Sequence, residues 1–250
     1  MNKMLLTTCF HGNLLSSNIP TEQYSRVLDR CYWPLLELVE NIPGVKVGVE
    51  FPVRSLQHLD SIDKSFIAKI NELQEQGAVE FIGSGYTQAI QPLLPYEVNQ
   101  ANLQLGNEYY QEMFNRTPSV AYLNEQNISQ STANLYEEIG YKSIIMDFDA
   151  SSLAGDYSQN DLYLPKIVQG SSVNVLWNSS IAFQRFQRFI YGLISFDEYI
   201  AYLAEHYAQG HNGALMLYGS DWEIFDYKPG DIDLSYKQTK VLFVSKIHRH

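Results

Sequence analysis

The feature that most constrains this chain is a regular alternation of short apolar runs with longer amphipathic stretches. Residues 4–10, 45–51, 79–83, 120–123, 143–148 and 214–219 have the length and composition of strands. Between them, residues 21–41, 61–76, 96–115, 129–139 and 195–208 carry apolar side chains at helical spacing. Thr21 is the expected N-cap of the first helix and Pro43-Gly44 its stop, while Gly77, Gly140 and Gly210 close three others. Residues 162–168 and 172–177 read as two further strands, as in a hairpin. Strands separated by helices need crossover connections and therefore predict parallel βαβ units. At least six such strands in 250 residues predict an α/β fold, a closed or nearly closed parallel barrel inside a ring of helices. A flat doubly wound sheet is the alternative architecture.

Composition narrows the function classes. A chain of 250 residues buries about three quarters of its unfolded surface, so it folds without staples. Its two cysteines, Cys9 and Cys31, cannot build a disulfide framework or a zinc–thiolate cage. No apolar run reaches the ~20 residues of a membrane span. The polar pair Thr7-Thr8 interrupts the N-terminal run before it makes a signal-peptide core, so a cytoplasmic protein is expected. The formal net charge of −11 repels nucleic acid and anionic lipid, and neither is expected as a partner. No phosphate-cradling glycine motif follows a strand, so no nucleotide cofactor is expected.

In parallel α/β folds the working face lies at the carboxyl ends of the strands. Those ends carry His11-Gly12-Asn13, Glu50, Gly83-Ser84-Gly85-Tyr86-Thr87-Gln88, Asn124-Glu125-Gln126-Asn127, Asp147 with Asp149, and Ser220-Asp221-Trp222-Glu223. Carboxylates, amides, aromatics and one histidine on one face suit carbohydrate chemistry. Cleaving a glycosidic bond requires two carboxyl groups, one ionised and one holding a proton. Each residue also has a plainer reading. Glu50 can pair with Arg54, Asp147 and Asp149 can cap the next segment, Glu125 can sit in a first helical turn, and Asp221 can form an Asx-turn. Six polar strand ends on one predicted face outweigh six separate accidents. Metal ligation is not expected. Asn13 stands where a carboxylate ligand would be needed, and His58, His206, His211, His248 and His250 lack ligand spacing.

The ordered motifs resemble the N-terminal catalytic domain of glycoside hydrolase family 57, from about His11 to Pro229. Phe10-His11-Gly12-Asn13 resembles the family's first-strand histidine segment. The run Glu80-Phe81-Ile82-Gly83-Ser84-Gly85-Tyr86-Thr87-Gln88, continuing to Ile90-Gln91-Pro92, resembles its second region. Ala121-Tyr122-Leu123-Asn124-Glu125 resembles the third, with Tyr122 for the usual Trp and Asn124 for the usual Pro, and Tyr218-Gly219-Ser220-Asp221-Trp222-Glu223-Ile224-Phe225 resembles the fourth. The resemblance implies an incomplete (β/α)7 barrel that acts on α-glucans with retention. It implies Glu125 as nucleophile and Asp221 as acid/base, which stand 96 positions apart and must be brought together by the fold. His11, Asn13, Glu50, Tyr86, Gln88, Asp147, Trp222 and Glu223 are the expected substrate-binding residues, with no metal or cofactor. Residues 1–250 are expected to form one catalytic barrel, cut short at its carboxyl end because family members continue into a helical region. Two other readings are a carbohydrate-binding barrel without activity and a polysaccharide deacetylase. The latter needs an Asp-Asp pair on the first strand and a His-x-x-x-His, both missing here.

Overall fold

The computed structural model describes residues 3–15, 17–210 and 212–225. His211, His248, His250, Pro229 and the end of the chain therefore lie outside the described residues. The strands are β1 (Leu5–His11), β2 (Val47–Glu50), β3 (Val79–Ile82), β4 (Val120–Tyr122), β5 (Ser143–Asp147), β6 (Lys166–Ile167), β7 (Asn174–Asn178) and β8 (Ala214–Asp221). All but β6 pair in parallel, in the order β3-β2-β1-β8-β7-β5-β4. β6 turns back antiparallel on β7, as the sequence predicts. The two ends of that order meet at a parallel bridge between Gly83 and Ala121. There Gly83 N donates to Val120 O at 2.9 Å and Tyr122 N to Gly83 O at 2.8 Å. The sheet thus closes into an incomplete (β/α)7 barrel, and the flat doubly wound alternative is excluded.

Closure sorts the side chains by the two-residue period of each strand. Cys9, Ile82, Tyr122, Ile145 and Met216 pack together in the barrel interior. Their neighbours Phe10, Val49 and Phe81 point the other way and pack under the helical ring. At ~1.5–3 kcal/mol for each fully buried large apolar side chain, these two layers supply the main drive for folding.

The ring comprises α1 (Tyr24–Val27), α2 (Trp33–Asn41), α3 (Val53–Ile62), α4 (Lys64–Glu75), α5 (Tyr96–Phe114), α6 (Gln130–Ile139), α7 (Phe148–Ala154), α8 (Ser180–Ile190) and α9 (Phe196–Gln209). Two differences from the sequence reading have physical causes, and three helices were not anticipated. The helix expected over 21–41 is interrupted by a π-helical turn, Leu28–Tyr32, between α1 and α2. Pro34 explains it. Proline has no N–H to donate, and its ring crowds the carbonyl four residues back, so the turn before it widens. The helix expected over 61–76 begins instead at Lys64, because Ser61 and Ile62 end α3; Asp63 separates the two, and its extended backbone and carboxylate cap α4 by accepting from Ser65 N at 2.9 Å. α3 and α8 were not anticipated, although Phe183, Phe186, Phe189 and Ile190 recur at helical spacing. α7 was also missed. It begins directly at the end of β5, with Asp147 as its N-cap.

Gly106 on α5 sets where the segment after β3 can lie. A Cβ there would stand 2.7 Å from Gly85 Cα, and Gly85 itself has φ +117. Alanine gains about 1 kcal/mol of helix propensity over glycine, but the clash falls on backbone and costs about 1–3 kcal/mol. Gly106→Ala is therefore expected to lower stability in urea unfolding. A clear gain in stability would show that the helix and loop are free to separate.

Candidate active site

The carboxyl ends of the strands bring the polar residues to one mouth. His11 closes β1 and lies in register with Glu50 of β2 on one side and Asp221 of β8 on the other. Adjacent strands are about 4.8 Å apart, so the three form one row. Glu50 is 0% exposed, and its Oε2 accepts from His11 Nδ1. The sequence offered Glu50 either a pairing with Arg54 or a place against substrate. Arg54 instead faces solvent on α3. The Gln88 amide lies 2.6 Å from the other ring nitrogen of His11, and Tyr122 stacks on the ring with centroids 5.0 Å apart. Burial pushes the His11 imidazole down, but the charge and hydrogen bond of Glu50, with the charges of Asp221 and Glu223, outweigh it and raise its pKa to about 9.

Glu223 is another buried acid. Its Oε1 accepts from the backbone N–H of Asn13 at 2.7 Å and from the Tyr32 hydroxyl. Burial raises its pKa to about 7, against the Tyr32 hydrogen bond and the His11 charge, which pull it down. Glu125 and Asp221, by contrast, are exposed. Glu125 follows β4 with φ 56 and ψ 14, and Gln126 also has positive φ. Such left-handed residues cost on the order of 1–3 kcal/mol each and collect at functional sites. Tyr122 crosses the barrel and donates its hydroxyl to Gly219 O on β8 at 3.3 Å. It thereby ties the strand that precedes Glu125 to the strand that carries Asp221.

Three expected binding residues are placed elsewhere. Trp222 is 1% exposed and packs among Phe10, Tyr32 and Phe51 in the core. Tyr86 turns toward the helices, against Tyr109 and Gln57. Asp147 Oδ1 accepts from Ala150 N at 2.7 Å and caps α7. Asp149 receives Ser179, Ser180 and the Ile181 N–H at the start of α8, so the capping role applies to both. Sequence reasoning missed Tyr32, hidden inside an apparently continuous helix, and Asn178, because the strand was ended at Trp177. Asn178 donates to Gly219 O at 2.8 Å.

Buried acceptors without a protein partner occur at or after the carboxyl ends of five strands: Asn13 Oδ1, Glu50 Oε1, Asn124 Oδ1, Gln126 Oε1, Asn178 Oδ1 and Glu223 Oε2. A cavity of about 650 Å³ opens at the opposite, amino-terminal end of the barrel, where Val47, Phe81, Ile82 and Met216 are among its lining. It lacks the carboxylate row, so chemistry rather than volume marks the mouth as the candidate site.

The sequence profile described as glycosyl hydrolase family 57 matches residues 10–248. This chain belongs to glycosyl hydrolase family 57. Among the relatives, an alpha-amylase of Pyrococcus furiosus is 21% identical over 216 residues, covering 86% of this chain and 32% of its own length. Alpha-amylase 1 of Dictyoglomus thermophilum is 22% identical over 223 residues, covering 89% and 32%. The chain thus spans about a third of the length of these curated relatives. The crystal structure of 4-alpha-glucanotransferase from Thermococcus litoralis superposes with a TM-score of 0.80 at 18% identity, covering 99% of this chain and 38% of that one.

In this family 57 barrel the His11–Glu50 pair has a testable sign. The His11 pKa is raised from 6.5 to about 9. Its contribution to stability is complete below 6.5 and is lost as pH rises through the folded value. Glu50→Gln removes the main opposing charge, so the His11 midpoint, followed by NMR of the ring protons, should fall by at least about one unit. The decline of wild-type stability over that pH window should shrink with it. A midpoint that stays near the wild-type value would contradict the pairing.

Proposed function

We propose that the chain is the catalytic barrel of a retaining enzyme that hydrolyses or transfers α-glucan chains. Glu125 is the nucleophile and Asp221 the acid/base. The observation that carries this reading is the sorting of carboxylates at the mouth. Glu50 and Glu223 are buried and engaged, while Glu125 and Asp221 are exposed at the ends of β4 and β8. Two acids reach solvent where a substrate can meet them, while Glu50 is wholly enclosed and Glu223 is held through one oxygen with the other unpartnered. The amides that follow β1 and β4 beside them, Asn13, Asn124 and Gln126, suit a ligand that brings many hydroxyl donors, as a sugar does. Family membership and the named activities of the relatives support an α-glucan as that sugar.

In the proposed first step a Glu125 oxygen forms a bond to the anomeric carbon as the glycosidic C–O bond breaks. Asp221 gives its proton to the leaving oxygen. In the second step Asp221 takes a proton from water, giving hydrolysis, or from an acceptor hydroxyl, giving transfer. The deprotonated oxygen bonds to the anomeric carbon and Glu125 leaves as a carboxylate. Protonated His11 and the acceptors of Asn13 and Glu223 orient the sugar.

The two carboxylates should separate by rescue. Glu125→Ala and Asp221→Ala are each expected to lower turnover of malto-oligosaccharides by on the order of 10⁴-fold or more. With an activated glycoside, azide should give the inverted glycosyl azide from Glu125→Ala, where it attacks directly, and the retained product from Asp221→Ala, where the glycosyl-enzyme still forms. Both side chains are exposed, so stability should change by no more than about 1 kcal/mol. The same azide stereochemistry in both variants would overturn the roles. Binding of malto-oligosaccharide without any turnover by wild type would favour the non-catalytic binding barrel.

A further inference from the structure

We propose that Tyr32 is a positioning residue whose hydroxyl holds Glu223 as a carboxylate beside Asp221. The inference rests on the roles given above to Glu125 and Asp221. Glu223 follows Asp221 by two residues, in the short turn Trp222–Phe225, and is 5% exposed. One of its oxygens accepts from Tyr32 and from Asn13 N, and the other has no protein partner. Tyr32 is 0% exposed and is walled by Phe51, Phe66 and Trp222, with ring centroids at 5.1, 5.9 and 4.8 Å. Its hydroxyl therefore has little freedom to leave Glu223. Cys31 Sγ lies 3.5 Å from the Glu223 carbonyl, so the π-helical turn grips both the backbone and the side chain of this acid. π-Turns of this kind recur at functional sites, where they re-aim side chains that a regular helix would place elsewhere.

Among the groups that face Glu223 are Tyr32 and Cys31 from the π-helical turn, His11 from β1, the Asn13 N–H after it, and Asp221 from β8. A carboxyl buried this deeply tends to take up a proton, and the Tyr32 hydrogen bond is the first of the influences that oppose it. The form matters for the reaction. The transition state carries oxocarbenium-like positive charge, which a fixed neighbouring anion stabilises. Ionised Glu223 also helps to keep His11 protonated. A proton on Glu223 should therefore slow the chemical step more than it weakens substrate binding.

Tyr32→Phe removes the donor and keeps the ring. Site-specific Tyr32→3-fluorotyrosine keeps both and makes the phenol a stronger donor. Glu223 is titrated directly by ¹³C NMR of carboxyl-labelled glutamate, its resonance assigned by its loss in Glu223→Gln. The expected midpoint rises by about one unit in Tyr32→Phe and falls in the fluorotyrosine variant. The acid limb of kcat on malto-oligosaccharides should move the same way in each, with KM within about twofold. Tyr199→Phe is the control, because the Tyr199 hydroxyl is buried without a partner and should leave both readouts unmoved. An unshifted Glu223 midpoint in Tyr32→Phe, or a shift in the same direction in both variants, overturns the proposal. Should Tyr32→Phe fail to fold, the fluorotyrosine variant decides alone. If the midpoint moves as expected while wild type turns over no glucan, the hold on Glu223 stands and the catalytic reading fails. If the enzyme is active and the midpoint does not move, the Tyr32 role alone fails.

Discussion

The site depends on a buried ion pair. Glu50 has no contact with solvent, and His11 answers its charge through Nδ1 on the neighbouring strand. Such pairs add little net stability, because desolvation offsets their attraction, yet removing one partner costs about 3–5 kcal/mol. Their persistence needs another reason. Here the pair fixes the orientation of the His11 ring, and that ring is where the other parts meet. Tyr122 lies on its face, Gln88 reaches its far nitrogen, and Asp221 stands in register beside it.

From that centre the remaining geometry follows in two directions. Toward β4, Tyr122 links His11 to the left-handed turn that presents Glu125. Toward β8, the same hydroxyl reaches Gly219, where Asn178 also donates. A Cβ on residue 219 would stand 2.3 Å from the Asn178 side chain, so glycine is what lets these two strands draw together behind Asp221. Beyond β8, Glu223 is held by Asn13 N from the loop after β1 and by Tyr32 from the first helical segment. Elements distant in sequence thus converge on two adjacent acids of different exposure.

Much of this was legible in the sequence because strand periodicity, glycine stops and motif order are local properties. The barrel class, the hairpin, α5, α6 and α9 all followed from spacing. Glu50, His11, Asn13, Gln88 and Glu223 were placed at the mouth by strand ends alone. What was missed depends on contacts between distant residues. Trp222 looks like a binding residue beside Asp221, but three aromatic rings from other elements enclose it. Asp147 and Glu50 are both acids at strand ends. Only the neighbours distinguish a helix cap from an ion-pair partner. Tyr32 carried one local signal, Pro34 two residues on, which is incompatible with the uninterrupted helix that the apolar spacing suggested.

The central claim is that Glu125, rather than one of the other acids at the mouth, bonds to the sugar. Trapping the glycosyl-enzyme tests it most directly. A 5-fluoroglycosyl fluoride slows both steps by disfavouring positive charge at the ring, while its good leaving group keeps the first step accessible. Mass spectrometry of the digested protein should then find one added glycosyl group on the peptide that contains Glu125, absent in Glu125→Gln. The same label on Asp221, Glu223 or Glu50, or normal turnover with a label on none of them, would contradict the account.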